Sequence, residues 1–173
     1  REFLTGLRQL CDERQLLLRA DEIQCGMGRT GTWFAFQRHG VRPDAMTIAK
    51  AIANGVPMGV FQIRADYADV FAPGTHGTTF GGNPLASAAA RATIDTIIRE
   101  RLIDHARDMG RLLLTELNAL AHKHDCIRQS RGLGLMLGLQ LASPEMLPKV
   151  TAACRERGLL VLTAGEDVIR LMP

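Results

Sequence analysis

The sequence predicts an α/β fold followed by a smaller α+β domain, and three observations carry that prediction. Two apolar runs, Leu16-Leu17-Leu18 and Met46-Thr47-Ile48-Ala49, lead to Asp21 and Lys50, which stand 29 residues apart. That interval is about the length of one β–loop–helix–β unit, and such units build parallel sheets. Before the first run, Phe3, Leu4, Leu7, Leu10 and Cys11 recur at helical spacing. In the second half, a helical pattern over residues 102 to 121 leads into an alternating leucine strand that begins at Gly132.

The elements follow in order. Residues 2 to 13 read as a helix packed on the sheet that the next strand joins. Leu16 to Ala20 reads as a strand, and its continuous apolar run Leu16 to Leu18, broken by Arg19, is that of a strand covered on both faces. The stretch Gly26-Met27-Gly28-Arg29-Thr30-Gly31 fits the G-x-G-x-x-G pattern of dinucleotide sites. Asp21, Glu22 and Gln24 separate it from the strand, however, and the next acid, Asp44, falls short of the fingerprint's spacing. Its glycines fit a tight turn better. Trp33, Phe34 and Phe36 mark a short packed segment, with His39 closing a helical turn before Gly40. Gly59 to Ile63 is a strand, and Tyr67 to Phe71 one helical turn. Asn83 and Pro84 supply an N-cap and a first-turn proline for a helix whose face Leu85, Ala88, Ala89 and Ala92 is small enough for close packing.

In the second half, Ile103, Ala106, Leu113, Leu117, Leu120 and Ala121 form the inward stripe of an amphipathic helix. His122 and His124 cap its solvated end. Leu133, Leu135, Leu137, Leu139 and Leu141 share one strand face, with Gly132, Gly134 and Gly138 permitting close approach on the other. Residues 148 to 157 form a helix that Gly158 can end. Leu159 to Leu162 and Val168 to Met172 are strands.

The chemistry concentrates at the ends of the two apolar runs. Met46, Ile48, Ala49, Ala51 and Ile52 around Lys50 favour a neutral amine if they bury it, because burial disfavours an ammonium. A neutral amine is what attacks an aldehyde. The other reading of Lys50 is a strand-end lysine reaching solvent. Open α/β sheets bind ligands at their carboxyl edge. An aspartate there, paired with a pyridinium nitrogen beside an amine-bearing lysine, is the pyridoxal phosphate (PLP) arrangement. Gly74 to Pro84 is rich in glycine, with two hydroxyls side by side, as in an anion-holding loop or an ordinary Gly-rich one.

The motifs DEIQCGMGRTG, PDAMTIAKAIANGVPMG and THGTTFGGNP, in that order and spacing, resemble the class III PLP-dependent aminotransferases of fold type I. The acetylornithine aminotransferases are the most similar group within that class. The resemblance implies a mixed, mostly parallel sheet with helices. Residues 1–98 correspond to the C-terminal part of the PLP-binding large domain, and 99–173 to a smaller α+β domain. It implies Lys50 as the catalytic lysine that carries PLP and Asp21 as the partner of the ring nitrogen. Ile23, on the strand face of Asp21, packs on the ring, and Gln24 bonds its phenolic oxygen. Thr79 reaches the PLP phosphate of a neighbouring subunit in a homodimer. Thr78 lies near the substrate, and Arg170 near the substrate or a gating glutamate, since a guanidinium fork suits a carboxylate; read alone, Arg170 is also compatible with a surface strand edge.

The implied reaction moves the terminal amino group of N-acetylornithine to 2-oxoglutarate, in arginine biosynthesis. Ornithine, succinylornithine and 4-aminobutyrate are the alternative donors, and a truncated, non-catalytic remnant is the alternative of a different class. Family members are more than twice as long, so the chain is expected to be their C-terminal part. Arg1 in place of Met, and an end directly after a strand-like run, agree with that. Arg19 departs from the apolar residues expected before the Asp-Glu pair. It pairs with Asp21, points to solvent, or marks a damaged gene copy.

Composition excludes other classes. Hydrophobic residues make up 46% of the chain and the net charge is +3, as in a globular protein. Aromatics are 5% and no basic stripe is present, which argues against nucleic acid. No apolar run reaches membrane length. Four cysteines stand far apart, and His76 has no partner at ligand spacing, so no metal is expected. The setting read from these features is a reduced cytoplasm.

Overall fold

The computed structural model describes residues 2–173. They form two compact units, one of residues up to Gly28 and Thr32–Ile103, the other of Arg29–Gly31 and Asp104–Pro173.

In the first unit, helix α1 (Glu2–Glu13) precedes strand β1 (Arg19–Asp21), which pairs in parallel with β2 (Ala45–Ile48); β3 (Val60–Ile63) adds antiparallel to β2. The sheet is therefore mixed, in the order β1-β2-β3. The strand expected from Leu16 to Ala20 is present only from Arg19 onward, and its apolar start is corrected. Gln15 turns into the left-handed region at φ 54°, and the Leu16 N–H closes α1 on the Cys11 carbonyl at 2.8 Å. Leu16 and Leu17 are a connector, 56% and 51% exposed. Pairing starts only at Arg19.

The core of this unit joins Met46, Ile48, Ile52 and Ala53 to Ala90 and Ile97 of α2 (Pro84–Arg99), with Met27 and the aromatic segment Trp33, Phe34 and Phe36 around them. Asn83 caps α2 by accepting the Ala86 N–H at 2.9 Å, as its sequence predicts. The buried face is Ala86, Ala90 and Ile97. Of the small-residue face read from the sequence, Ala89 is half-buried against this core, whereas Ala88 and Ala92 are exposed and Leu85 is 74% exposed. Alanine occurs on both sides of this helix, so composition could not choose between them. Short 3₁₀ turns at Ala35–His39 and Ala65–Val70 match the two expected helical turns, the first ended by Gly40 at φ 68°.

Asp44 ties the amino end of this sheet together. It is 2% exposed and accepts from the Leu18 N–H (2.8 Å), Arg8 Nη1 (2.7 Å) and Arg64 Nη1 (3.1 Å). Burial alone would push its carboxyl up. The Leu18 N–H and the two guanidiniums outweigh that and hold it below its ordinary 3.8. A depressed carboxyl stabilises fully above its unfolded value, and the contribution is lost as pH falls through the folded one. Asp44→Asn should therefore cost about 1–3 kcal/mol at neutral pH, by leaving the Arg8 and Arg64 guanidiniums without their shared anion. It should also flatten the wild-type loss of stability below about pH 4. Urea midpoints measured from pH 7 down to 2 test both; a parallel pH dependence in wild type and variant would exclude this role.

In the second unit, α3 (Leu102–Lys123, entering it at Asp104) and α4 (Met146–Glu156) cover one face of an antiparallel sheet. Its strands β4 (Ile127–Leu133), β5 (Met136–Leu141), β6 (Leu162–Ala164) and β7 (Val168–Leu171) lie in the order β4-β5-β7-β6. Leu117, Leu137, Leu139, Leu141, Leu147 and Ile169 form its core. The single leucine strand expected from Gly132 is corrected to a hairpin. Gly134 takes φ 54° and makes a two-residue turn with Leu135, so Leu133 pairs with Met136. Leu137, Leu139 and Leu141 stay on the core face, while Leu133 belongs to the partner strand and is exposed. Leu120 is also exposed, because Leu117 is the last buried contribution of α3 to the cluster. Leu159 and Leu160 are an exposed connector before β6. Gly158 ends α4's final turn at φ 78°.

Candidate active site

The carboxyl ends of β1 and β2 lie side by side. Asp21 is the last residue of β1 and stands in register with Thr47 of β2; Lys50 follows three residues beyond Thr47. The parallel pairing thus brings the carboxylate and the amine to one sheet edge. Lys50 opens the 3₁₀ turn Lys50–Ala53 at φ 53°, a left-handed conformation uncommon for residues other than glycine. Its neighbours hold that conformation: Ile52 and Ala53 are buried against α2, and Asn54 closes the turn on the Ala51 carbonyl at 3.3 Å. Lys50 itself is exposed.

The Asp-Glu pair divides its roles by facing opposite ways. Asp21 is exposed, and its Oδ1 accepts the Ile23 N–H at 3.1 Å. Glu22 is 3% exposed and accepts the Ala35 and Phe36 N–H groups at 3.0 and 3.1 Å. This buried carboxylate pins the loop that leaves the site, and sequence reading missed it; its place beside Asp21 was the available signal. Ile23 and Gln24 lie in the turn after β1. The strand-face argument that put Ile23 beside Asp21 therefore fails, because the strand has already ended, and the two are joined by the backbone-to-carboxylate bond instead. Arg19 is exposed, and no ion pair links it to Asp21 among the described residues.

Cys25 donates its thiol to Glu22 Oε2 at 3.2 Å. Burial, then the Glu22 hydrogen bond and charge, push that thiol up to about 12. At neutral pH it is a hydrogen-bond donor and not a nucleophile. The glycine run after it forms turns and opens no helix at Gly28 or Gly31, which take φ 87° and 82°.

Thr78 and Thr79 lie on an exposed loop without regular structure. Its start is held by Phe71, whose ring packs on Phe61 (5.3 Å) and edge-on to His76 (5.0 Å). Its end begins α2, the helix that packs on the turn after Lys50. Arg170 belongs to the second unit. It sits on β7 opposite Gly138 of β5 and Leu162 of β6, on the face away from buried Ile169. The same face carries Gln140, which accepts from Gln129 (2.7 Å) and Arg131 (3.0 Å) and donates to Asp167 (2.8 Å).

Clefts of about 430 and 490 Å³ open near the other end of β2, around Arg42 and Arg64. Neither is lined by Asp21, Lys50, Thr78 or Thr79.

The profile of the family described as Aminotransferase class-III matches residues 1–173. The chain belongs to the class-III aminotransferases. It is similar to acetylornithine aminotransferase 1 of Bradyrhizobium diazoefficiens, with 46% identity over 99% of this chain and 42% of the relative. Among solved structures it is similar to an acetylornithine aminotransferase from Elizabethkingia anophelis, at 36% identity and a TM-score of 0.92, covering 99% of this chain and 46% of that one. A Toxoplasma gondii ornithine aminotransferase gives 36% identity and a TM-score of 0.93 over 99% of this chain and 41% of that one. That structure is described with partial occupancy of PLP at its active site. The chain spans under half the length of each of these relatives.

Class-III aminotransferases are PLP-dependent, and the donor set of this chain fits that cofactor. A carboxylate that can face a ring nitrogen and an amine that can meet an aldehyde end adjacent parallel strands. The fit also has an unfilled polar position, since the Thr47 hydroxyl beside Asp21 is buried without a hydrogen-bond partner.

Proposed function

We propose that the full-length protein carrying this chain is a PLP-dependent transaminase that moves the terminal amino group of N-acetylornithine to 2-oxoglutarate, in arginine biosynthesis. The observation that carries this reading is the shared edge of Asp21 and Lys50 within a class-III aminotransferase chain. PLP, when bound, supplies an aldehyde and an electron-withdrawing ring. Lys50 would hold it through its side-chain amine and would move a proton at the reacting carbon. Asp21 keeps the ring nitrogen protonated. Ile23 packs on the ring and Gln24 bonds its phenolic oxygen, both from the turn that Asp21 organises. Thr79 contacts the phosphate across a cytoplasmic homodimer, while Thr78 and Arg170 serve the substrate. On this reading residues 1–98 belong to the cofactor-binding domain and 99–173 to the small domain.

The donor assignment leans on the sequence relatives, among which those at 43% to 46% identity are named acetylornithine aminotransferases. N-acetylornithine should exceed ornithine in kcat/KM by about 10- to 100-fold, the span that a pocket built for one group achieves against a close analogue. Glutamate formed from 2-oxoglutarate with each donor measures this. A preference for ornithine would move the protein to the ornithine branch of the family.

A further inference from the structure

Thr47 is a hydroxyl residue inside an otherwise apolar strand, and its Oγ1 is shielded from solvent without a hydrogen-bond partner. A buried hydroxyl in that state is destabilising, and valine would fill the same space without the cost. The strand's geometry shows what the hydroxyl stands beside. Met46 and Ile48 point into the core with Ala20, so alternation puts Thr47 on the opposite face. Asp21 is its partner in register on parallel β1 and shares that face. Neighbouring strands lie about 4.8 Å apart. One oxygen of Asp21, Oδ1, is held by the Ile23 N–H; Oδ2 accepts no hydrogen bond among the described residues.

We propose that Thr47 is a positioning residue for the cofactor site: its hydroxyl donates to Oδ2 of Asp21 when the ring nitrogen of PLP meets that carboxylate. With Ile23 on one oxygen and Thr47 on the other, the plane of the carboxylate is set. Side-chain rotation suffices, because the two backbones are already in register. The unpartnered hydroxyl is thus a donor held ready for the loaded state. This inference rests on the PLP reading of Asp21 and Lys50.

The test uses the full-length protein, wild type and with Thr47→Val, Thr47→Ser, Asp21→Asn and the Thr47→Val/Asp21→Asn pair. Two quantities are measured: the apoprotein melting temperature, and the PLP dissociation constant by absorbance titration. Thr47→Val should raise the apo melting temperature while weakening PLP about 10-fold or more, as for loss of a hydrogen bond to a charged group. Thr47→Ser should keep wild-type affinity. In the Asp21→Asn background, Thr47→Val should change PLP affinity less than twofold, since the two act as one unit. An equal loss in both backgrounds, or unchanged PLP affinity in Thr47→Val, overturns the proposal while leaving the PLP reading intact. A wild-type protein that takes up no PLP overturns both.

Discussion

Lys50→Ala is expected to abolish both the covalent trapping of PLP and transamination in the full-length protein. Among the three lysines of this chain, Lys50, Lys123 and Lys149, it alone stands at the sheet edge that carries Asp21. Lys123 is the last residue of α3, and Lys149 lies on an exposed face of α4. Borohydride reduction followed by peptide mapping should place the cofactor's mass on the peptide containing Lys50, and the substitution should remove it. Turnover should fall by about 10⁴-fold, the upper range for loss of a positioned proton-transfer group, and by more if covalent attachment contributes separately. The left-handed backbone at Lys50 is set by buried Ile52 and Ala53, so alanine should leave the fold and its melting temperature nearly unchanged. Label recovered on Lys123 or Lys149, or turnover within tenfold of wild type, would remove Lys50 from the site.

Gly110→Ala should destabilise the second unit by about 3 kcal/mol or more, at or beyond the top of the usual range for overpacking. The sign is informative, because alanine in a helix interior is normally favoured over glycine by about 1 kcal/mol. At Gly110 an added Cβ would stand 2.1 Å from the Gly134 carbonyl oxygen and 2.3 Å from its carbon. Those are backbone atoms, and they have no room to retreat. Gly134 itself lies against Arg29, Thr30 and Gly31, and the Leu135 N–H bonds the Arg29 carbonyl at 2.9 Å. Gly6 in α1 is the control, with nothing within 4 Å of its Cβ position. Gly6→Ala should stabilise by about 0.5–1 kcal/mol. Urea unfolding of the full-length protein compares the two, and a gain in stability from Gly110→Ala would refute the close-packing account.

The candidate site was legible wherever chemistry sits in short runs of residues. Asp21 and Lys50 stood out because each follows an apolar run at the spacing of one parallel crossover. The cap at Asn83 and Pro84 and the end of the 3₁₀ turn at Gly40 are local, since a few dihedral angles and one hydrogen bond decide them. Registers and faces were less legible. The Leu16 to Leu18 run looked like strand because apolarity reports burial in general, whereas pairing depends on where Asp44 meets the Leu18 backbone. The leucine alternation around Gly134 is the same for one strand as for a hairpin, and only the left-handed glycine and the pairing of Leu133 with Met136 distinguish them.

By itself the sequence determined the helices, the strand-end carboxylate and amine, and the family to which the chain belongs, because these rest on periodicity and on residue types at short spacing. Only the tertiary structure decided which alanine face of α2 is buried, that Glu22 and Asp44 are interior anchors, and that Thr47 stands beside Asp21 with its hydroxyl unused. Each of those depends on a partner that is distant in sequence. Whether a polar atom is shielded and paired is a property of that meeting and not of the residue.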